Sequence, residues 1–184
     1  PKEQLGYQLL FAPDVCQGPD GRYYLYYAFD FLGIMSVAVC DTPAGEYKFL
    51  GHIHYADGTL WGRRRGDQLP FDPGVLADDD GRVWLYSGFY NAVPAILTGG
   101  HKLRCDGGTV LELEKDMVTI KTEPRVIFPK KGPGAFQGHE FFEASSIRKE
   151  GKTYIFVYSS RHNHELCYAT SQSPDRDFSY GGTL

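Results

Sequence analysis

The sequence has no long apolar run, no extended basic run and no long stretch with helical periodicity. A helix that spans a bilayer needs about 20 consecutive apolar residues, so no membrane segment is expected. The one basic cluster, Arg63-Arg64-Arg65, is short, and the net charge of the 184 residues is −4. Nothing in this charge balance favours nucleic acid or an anionic membrane, and we expect neither as a partner.

Cysteine is also sparse. The four cysteines include no closely spaced pair of the kind found in zinc knuckles or thiol redox motifs: Cys16, Cys40, Cys105 and Cys167. Four cysteines in a chain of this length do not make a disulfide scaffold, so we expect reduced, mostly buried thiols. Unpaired thiols favour a cytoplasmic location without excluding secretion. The sequence shows no signal peptide, but it reads as if it starts inside a longer protein, so that observation is uninformative.

Aromatic and turn-forming residues are abundant. The chain is 15% aromatic, with Tyr 13 and Phe 12, and it contains 22 Gly and 11 Pro. This composition favours many short strands joined by tight turns over helices. A chain of 184 residues is normally one domain. The sequence therefore predicts an all-β domain.

A repeated pattern organises this domain. Residues 71–88, FDPGVLADDDGRVWLYSG, contain an acid, a short apolar segment, a turn closed by Gly and an aromatic strand. The same order occurs in residues 11–28, FAPDVCQGPDGRYYLYYA, and 141–160, FFEASSIRKEGKTYIFVYSS. The glycines that close these turns are 60 and 70 residues apart, which suits four-stranded units with variable loops. Such self-similarity predicts a radial repeat, a β-propeller.

We expect residues 1–184 to form a partial propeller with about three blades, approximately at 11–51, 71–128 and 141–184. In the second unit, Pro94 to Leu97 is also predicted as a strand, and 117–122 with 125–128 would add a strand pair. Propellers have at least four blades, so we expect further blades from the rest of the chain or from a partner.

Each unit has an acid near the start of its inner strand, namely Asp14, Asp72 or Glu143. Inner strands line the axis of a propeller, so these acids are expected to converge on one pocket. Hydrolysis of a glycosidic bond needs a proton donor and, in the inverting case, a base about 6.5–9.5 Å away that activates water. Crowded carboxylates separate each other's pKa values, so one of them stays protonated near neutral pH.

Glu143 is the better candidate for the proton donor, because the two phenylalanines before it would desolvate its carboxyl and raise its pKa. Asp72 precedes Pro73, whose ring stiffens the backbone that carries the acid. Alternatives remain for both residues. Asp72 could belong to a simple Asp-Pro turn and Glu143 could be a solvated strand acid, with Glu140 as a rival three residues away.

The three motifs, taken in order, resemble successive blades of glycoside hydrolase family 43, whose members are five-bladed β-propeller hydrolases of arabinan and xylan. The resemblance covers nearly the whole chain and would make it blades two to four. It implies that Glu143 is the general acid and that Asp72 orients this acid and modulates its pKa. It places Asp14 near the pocket in a supporting role.

The sequence departs from the family pattern in three places. The general base of the family is a first-blade Asp that no stretch before Phe11 supplies, so the chain alone is expected not to turn over substrate. Ala144-Ser145 stands where many members have Gly-Pro, so the backbone around the acid differs from the family pattern. Phe11 stands where many members have Trp.

No cofactor or metal is expected. Some family members hold a cation or an ordered water on the axis with a His from the fifth blade, which this sequence does not supply. The pairs His52/His54 and His162/His164 have the spacing HxH, which alone is a weak indication of a metal site.

Sugar rings present apolar faces that stack on aromatic side chains, so Phe29, Trp61 and Tyr90 are candidate substrate platforms. For each ring, burial in the core is the competing explanation. Arg161 and His162 follow the last aromatic strand and could also reach the pocket, as could His164.

The sequence thus predicts an inverting hydrolase of plant cell-wall pentosides, β-D-xylosides or α-L-arabinofuranosides, with xylo- or arabino-oligosaccharides as partners. The alternative is a non-catalytic carbohydrate-binding propeller. A protein-interaction propeller lacks support, because no WD or kelch signature is present. A sucrose-type hydrolase would usually have Arg before Asp-Pro, where this chain has Phe71. The long segments 52–70 and 129–140 favour a closed, exo-acting pocket.

Overall fold

The computed structural model describes residues 9–132 and 134–184. These residues form three four-stranded antiparallel sheets, each with its strands in chain order. The first sheet contains β1 Leu10–Gln17, β2 Tyr23–Phe29, β3 Met35–Cys40 and β4 Lys48–His52. The second contains β5 Gly74–Ala77, β6 Val83–Phe89, β7 Gly107–Leu113 and β8 Arg125–Pro129. The third contains β9 Phe141–Glu150, β10 Thr153–Ser160, β11 Leu166–Ser171 and β12 Ser179–Thr183.

The predicted all-β architecture is confirmed. The only helix in the described ranges is a single 3-10 turn at Gly134–Phe136, so none there could cross a membrane. Each sheet opens with the hairpin that the repeat predicts. The turn glycines Gly21, Gly81 and Gly151 have φ values of 84°, 81° and 59°, a backbone conformation that side chains disfavour.

The sheets pack face to face through alternating residues of their strands. Tyr24 and Tyr26 of β2 are buried against Val75 and Leu85 of the second sheet. On the opposite face of the second sheet, Tyr86 packs into a core that includes aromatic residues of β10. Strand side chains alternate between the two faces of a sheet. The second sheet therefore packs against a neighbouring sheet on each of its faces, whereas the first and third sheets each pack against it with one face.

Polar groups also cross between the second and third sheets. The buried Asp78 accepts hydrogen bonds from Lys149 Nζ and from the Tyr154 hydroxyl. Burial alone would raise the pKa of Asp78, but these hydrogen bonds hold it below its usual value. The hydroxyl of Tyr86, which is fully buried, donates to the carbonyl of Pro174. These polar side chains are therefore paired at this interface, whereas the buried Trp84 Nε1 has no hydrogen-bond partner.

Three expectations about local structure need correction. Pro94–Leu97 is not a strand, because Leu97 N donates to Pro94 O at 2.9 Å and Gly100 N donates to Ala95 O at 2.7 Å, which closes the segment into turns. Residues 117–122 form only isolated bridges, such as His54 with Thr119. Strand β12 was not predicted.

The connection 53–71 is largely packed and is not an open loop. Trp61 and Leu69 are each 1% exposed. The carboxylate of Asp67 holds the connection together, because it accepts hydrogen bonds from the Tyr55 hydroxyl at 2.6 Å and from Gly62 N at 2.8 Å. Much of this segment therefore belongs to the core.

Candidate active site

The inner strands β1, β5 and β9 lie next to one another, and each carries or follows one of the predicted acids. Asp14 lies in β1 just after an irregularity in its pairing with β2. Asp72 precedes β5 by two residues, and Glu143 is the third residue of β9. Strands β5 and β9 approach closely at Gly74, where a Cβ atom would lie 2.8 Å from Ser145 O. Glycine at this position lets the two acids come together.

Backbone hydrogen bonds link each aspartate to the next inner strand. Asp72 Oδ2 accepts a hydrogen bond of 2.9 Å from Ala144 N, the amide that follows Glu143. Asp14 Oδ2 accepts one of 2.9 Å from Val75 N in β5. The structure therefore brings Asp72 directly beside the backbone of Glu143, whereas Asp14 spans the first and second sheets.

The backbone has a positive φ two residues before Asp14, at Asp72 itself and one residue after Glu143. Ala12, Asp72 and Ala144 have φ values of 33°, 48° and 61°. This conformation costs a residue other than Gly about 1–2 kcal/mol. Strain of this kind persists only where the surroundings enforce it, and it concentrates at functional sites. Each acid therefore lies at or within two residues of a backbone position with positive φ, although the position differs from strand to strand.

The two neighbouring acids have perturbed pKa values. Asp72 is 5% exposed, and burial raises its pKa to about 7; the hydrogen bond from Ala144 opposes this rise and the charge of Glu143 adds to it. Burial also raises the pKa of Glu143, whose side chain keeps 27% exposure. Since each carboxylate disfavours ionisation of the other, this pair retains a proton near neutral pH more readily than isolated carboxylates do.

His164 is the histidine that reaches the acid. Its Nδ1 lies 3.8 Å from Glu143 Oε1 and 3.2 Å from Ser159 Oγ. A positive charge on His164 lowers the pKa of Glu143. His162, which the sequence singled out, is exposed and lies beside Asn163, 3.4 Å away. The strand sequence alone could not show which of the two histidines points toward β9.

An aromatic and cationic patch adjoins Glu143. The Tyr90 ring stacks on Phe142 with 6.0 Å between centroids, and Arg161 lies over the same Tyr90 ring at 5.1 Å. Lys130 is also 5.1 Å from the Tyr90 centroid. Tyr90 and Arg161, predicted separately, therefore lie together. Lys130 and Phe142 were missed, because their contribution depends on contacts between distant segments.

The other two candidate platforms are placed differently. Phe29 is half-buried in β2. Trp61 is enclosed in the core between the first two sheets and offers no ring face to a ligand. Trp61 is therefore a core residue and does not form a substrate platform.

Two cavities lie away from the acids. One of about 390 Å³ is lined by residues that include Tyr55, Arg64 and Arg104. One of about 200 Å³ is lined by residues that include Phe128 and Phe136. Neither of these two cavities is lined by Asp14, Asp72 or Glu143, although Glu140 and Phe141 contribute to the second. The three acids also do not form a group of metal ligands in that part of the chain.

The fold and the acid pair define a β-propeller domain with adjoining carboxyl groups on its inner strands. The model of the glycosyl hydrolases family 43 matches residues 2–180. The chain belongs to this family, which confirms the resemblance seen in the sequence motifs.

Individual relatives agree with this assignment. The chain is 52% identical over 183 residues to a xylosidase/arabinosidase from Thermoclostridium stercorarium, a match that covers 97% of this chain and 37% of that protein. It superposes on an α-L-arabinofuranosidase from Clostridium thermocellum with a TM-score of 0.68 and 26% identity, covering 96% of this chain and 52% of that one. A GH43_1 enzyme from Xanthomonas citri, solved with xylotriose, gives a TM-score of 0.69 and 27% identity over 95% of this chain and 55% of that one. The chain thus spans between about a third and just over half of the length of these proteins.

Proposed function

We propose that this chain is the part of an inverting glycoside hydrolase that supplies the general acid for cleaving β-D-xylosides or α-L-arabinofuranosides. The observation that carries this proposal is the hydrogen bond from Ala144 N to Asp72, which fixes Asp72 beside Glu143. The relatives are named for xylosidase and arabinosidase activities, and one related structure holds xylotriose. The substrate is accordingly a xylo- or arabino-oligosaccharide.

In this proposal Glu143 donates its proton to the glycosidic oxygen as the bond to the anomeric carbon breaks. Burial favours the protonated form that the step requires. Asp72 is a positioning residue, since it holds the backbone of Ala144. Above its own pKa of about 7, its negative charge also disfavours ionisation of Glu143. Asp14 supports the arrangement by binding Val75 N in the strand that follows Asp72.

An inverting reaction also needs a carboxylate base on the far side of the sugar, about 6.5–9.5 Å from the acid. We assign this base to none of the described residues. Tyr90 and Arg161 adjoin Glu143 and would bind the sugar, the ring by stacking and the guanidinium by hydrogen bonds. Arg161 is exposed, so a hydroxyl group can reach it.

We also propose that the three sheets, at about 11–51, 71–128 and 141–184, are blades of one catalytic domain that further blades complete. The sheets at both ends have apolar side chains on the face turned away from the second sheet. Leu25 and Tyr27 of β2, and Ile155 and Val157 of β10, are only half-buried. Further sheets packed on these faces would bury them as Tyr24 and Phe156 are buried on the opposite faces.

The proposed function is tested with Glu143→Gln in the intact protein. A panel of nitrophenyl pentosides first identifies the substrate, and isothermal titration calorimetry measures oligosaccharide binding. We expect hydrolysis of an unactivated oligosaccharide to fall by about 10²–10⁴-fold, the usual contribution of general acid catalysis. The dissociation constant should change by less than about threefold. Glu140→Gln is the matched control and should leave turnover unchanged.

Unchanged turnover of the Glu143→Gln variant would refute the assignment of the acid. The rival function, a carbohydrate-binding propeller without catalysis, predicts sugar binding by the unaltered protein with no hydrolysis of any pentoside in the panel. That result would favour the binding module over the hydrolase.

A further inference from the structure

A second cluster of chemically competent side chains lies where the third sheet meets the segment before β9. His139 Nδ1 lies 3.1 Å from Glu165 Oε2, and Cys167 Sγ lies 4.0 Å from His139 Nδ1. All three ligand atoms lie within 4.8 Å of one another. Glu165 and Cys167 are two residues apart and follow His164 directly, but His139 lies 26 residues before Glu165, so local spacing alone could not reveal the cluster.

We propose that His139, Glu165 and Cys167 bind a zinc ion. Zinc takes thiolate sulfur, imidazole nitrogen and carboxylate oxygen in tetrahedral sites, with water as a common fourth ligand. Metal-ligand distances of about 2.3 Å for sulfur and 2.0–2.1 Å for nitrogen place tetrahedral S and N ligands about 3.5 Å apart, and N and O ligands about 3.3 Å apart. The present separations of 4.0 Å and 3.1 Å differ from these values by half an ångström or less.

The surroundings fix the imidazole in place. His139 N donates to Phe136 O at 2.9 Å, and the Tyr158 hydroxyl donates to His139 O at 2.7 Å. The Tyr180 ring stacks on the imidazole at 4.7 Å between centroids with an interplanar angle of 17°. A ligand whose orientation is already set loses little freedom when it binds the ion, which favours affinity.

The environment of the Cys167 sulfur and the exposure of the other two side chains are also compatible with a bound metal ion. Cys167 is fully buried, with the hydroxyls of Thr183 and Tyr180 at 3.6 Å and 3.9 Å from its sulfur. Such hydroxyls can donate hydrogen bonds to a zinc-bound thiolate. The side chains of His139 and Glu165 are 33% and 31% exposed, which leaves room for a water ligand and a path for the ion.

A zinc ion here would join the segment before β9 to the β10–β11 hairpin. That segment leads within four residues to Glu143, and the hairpin carries His164. The ion would therefore hold together two segments that flank the candidate acid. The role is independent of whether Glu143 is catalytic.

Cobalt titration of the intact, metal-free protein in the presence of a phosphine reductant tests this site. Tetrahedral cobalt bound to a thiolate gives a sulfur-to-metal charge-transfer band together with intense visible bands, and zinc should displace it. We expect one such site per chain. Cys167→Ser should abolish the charge-transfer band, and Glu165→Gln should weaken binding by about tenfold or more. Cys105→Ser, which removes another buried thiol far from the cluster, is the matched control and should bind normally.

Absence of cobalt binding, or a charge-transfer band that survives Cys167→Ser, would overturn the proposal. Cobalt bound with visible bands but without a thiolate band would also overturn it, since the ion would then be held by other groups. If Cys167→Ser does not fold, Glu165→Gln decides, because its side chain is partly exposed and its loss is tolerable. Unchanged cobalt affinity in that variant would refute the site.

Discussion

Replacing Asp72 by Asn should make the protein more stable at neutral pH and less active. The substitution is nearly isosteric, and the Asn carbonyl can still accept the hydrogen bond from Ala144 N. Asn also tolerates the left-handed backbone that residue 72 adopts, with φ at 48°. What changes is the carboxyl group, which ionises unfavourably in its buried position.

The magnitude follows from the pKa of Asp72, which burial raises from 3.8 to about 7. The folded protein binds this proton more tightly than the unfolded chain does. The stabilisation that protonated Asp72 provides is therefore fully present below about pH 4 and is lost as the pH rises to about 7. A difference of about three pH units corresponds to at most about 4 kcal/mol. We expect Asp72→Asn to gain about 2–4 kcal/mol near pH 8 relative to the unaltered protein, and almost none of this near pH 4.

Urea denaturation of both proteins across this pH range measures the difference. Asp78→Asn is a control of opposite sign, because hydrogen bonds from Lys149 and Tyr154 lower the pKa of Asp78. That variant should lose stability at neutral pH. The reasoning is refuted if Asp72→Asn destabilises the protein near pH 8, or if its effect does not depend on pH.

Three further predictions concern the same site. In the pH profile of kcat/KM, Asp72→Asn should move the basic limb to lower pH by up to about one unit, because Asn cannot acquire the negative charge that Asp72 carries above its pKa of about 7 and that disfavours ionisation of Glu143; an unmoved limb would remove Asp72 from this role. His164→Gln should move the limb to higher pH by less than about one unit, since the charge of His164 lowers the pKa of Glu143; His162→Gln is the control, and an equal shift in both would contradict the assignment. Ala144→Gly should stabilise the protein by about 0.5 kcal/mol in urea denaturation, because Gly accepts the positive φ at some cost in unfolded-state entropy. Gly151→Ala, at a φ of 59°, should instead destabilise it by about 1 kcal/mol, and stabilisation there would contradict the backbone argument.

The sheets were predictable because their signals are local. The Gly-closed turns and the aromatic, β-branched runs that follow them, as in β2 and β10, are visible in consecutive residues. Pro94–Leu97 was misjudged because a short apolar segment fits a strand or a turn equally well, and the hydrogen bonds to Pro94 O and Ala95 O decide it. Strand β12 is Gly-rich and has little strand propensity of its own, so pairing with β11 determines it.

The site was only partly predictable. The periodic acids identified Asp72 and Glu143, and the motif resemblance supplied their expected roles. The hydrogen bond from Ala144 to Asp72 joins residues 72 positions apart, and no local pattern encodes it. For the same reason, the sequence could not separate His164 from His162 or show that Trp61 is buried, because side-chain direction and burial depend on how the sheets pack.

The most direct test of the central claim is the dependence of the Glu143→Gln effect on the leaving group. Proton donation matters greatly for a sugar leaving group and little for a dinitrophenolate, which departs without a proton. We therefore predict a loss in kcat/KM of about 10²–10⁴-fold on the natural oligosaccharide and a loss of less than about tenfold on the dinitrophenyl glycoside. Equal losses on both substrates, or no loss on either, would contradict the role of Glu143 as the proton donor.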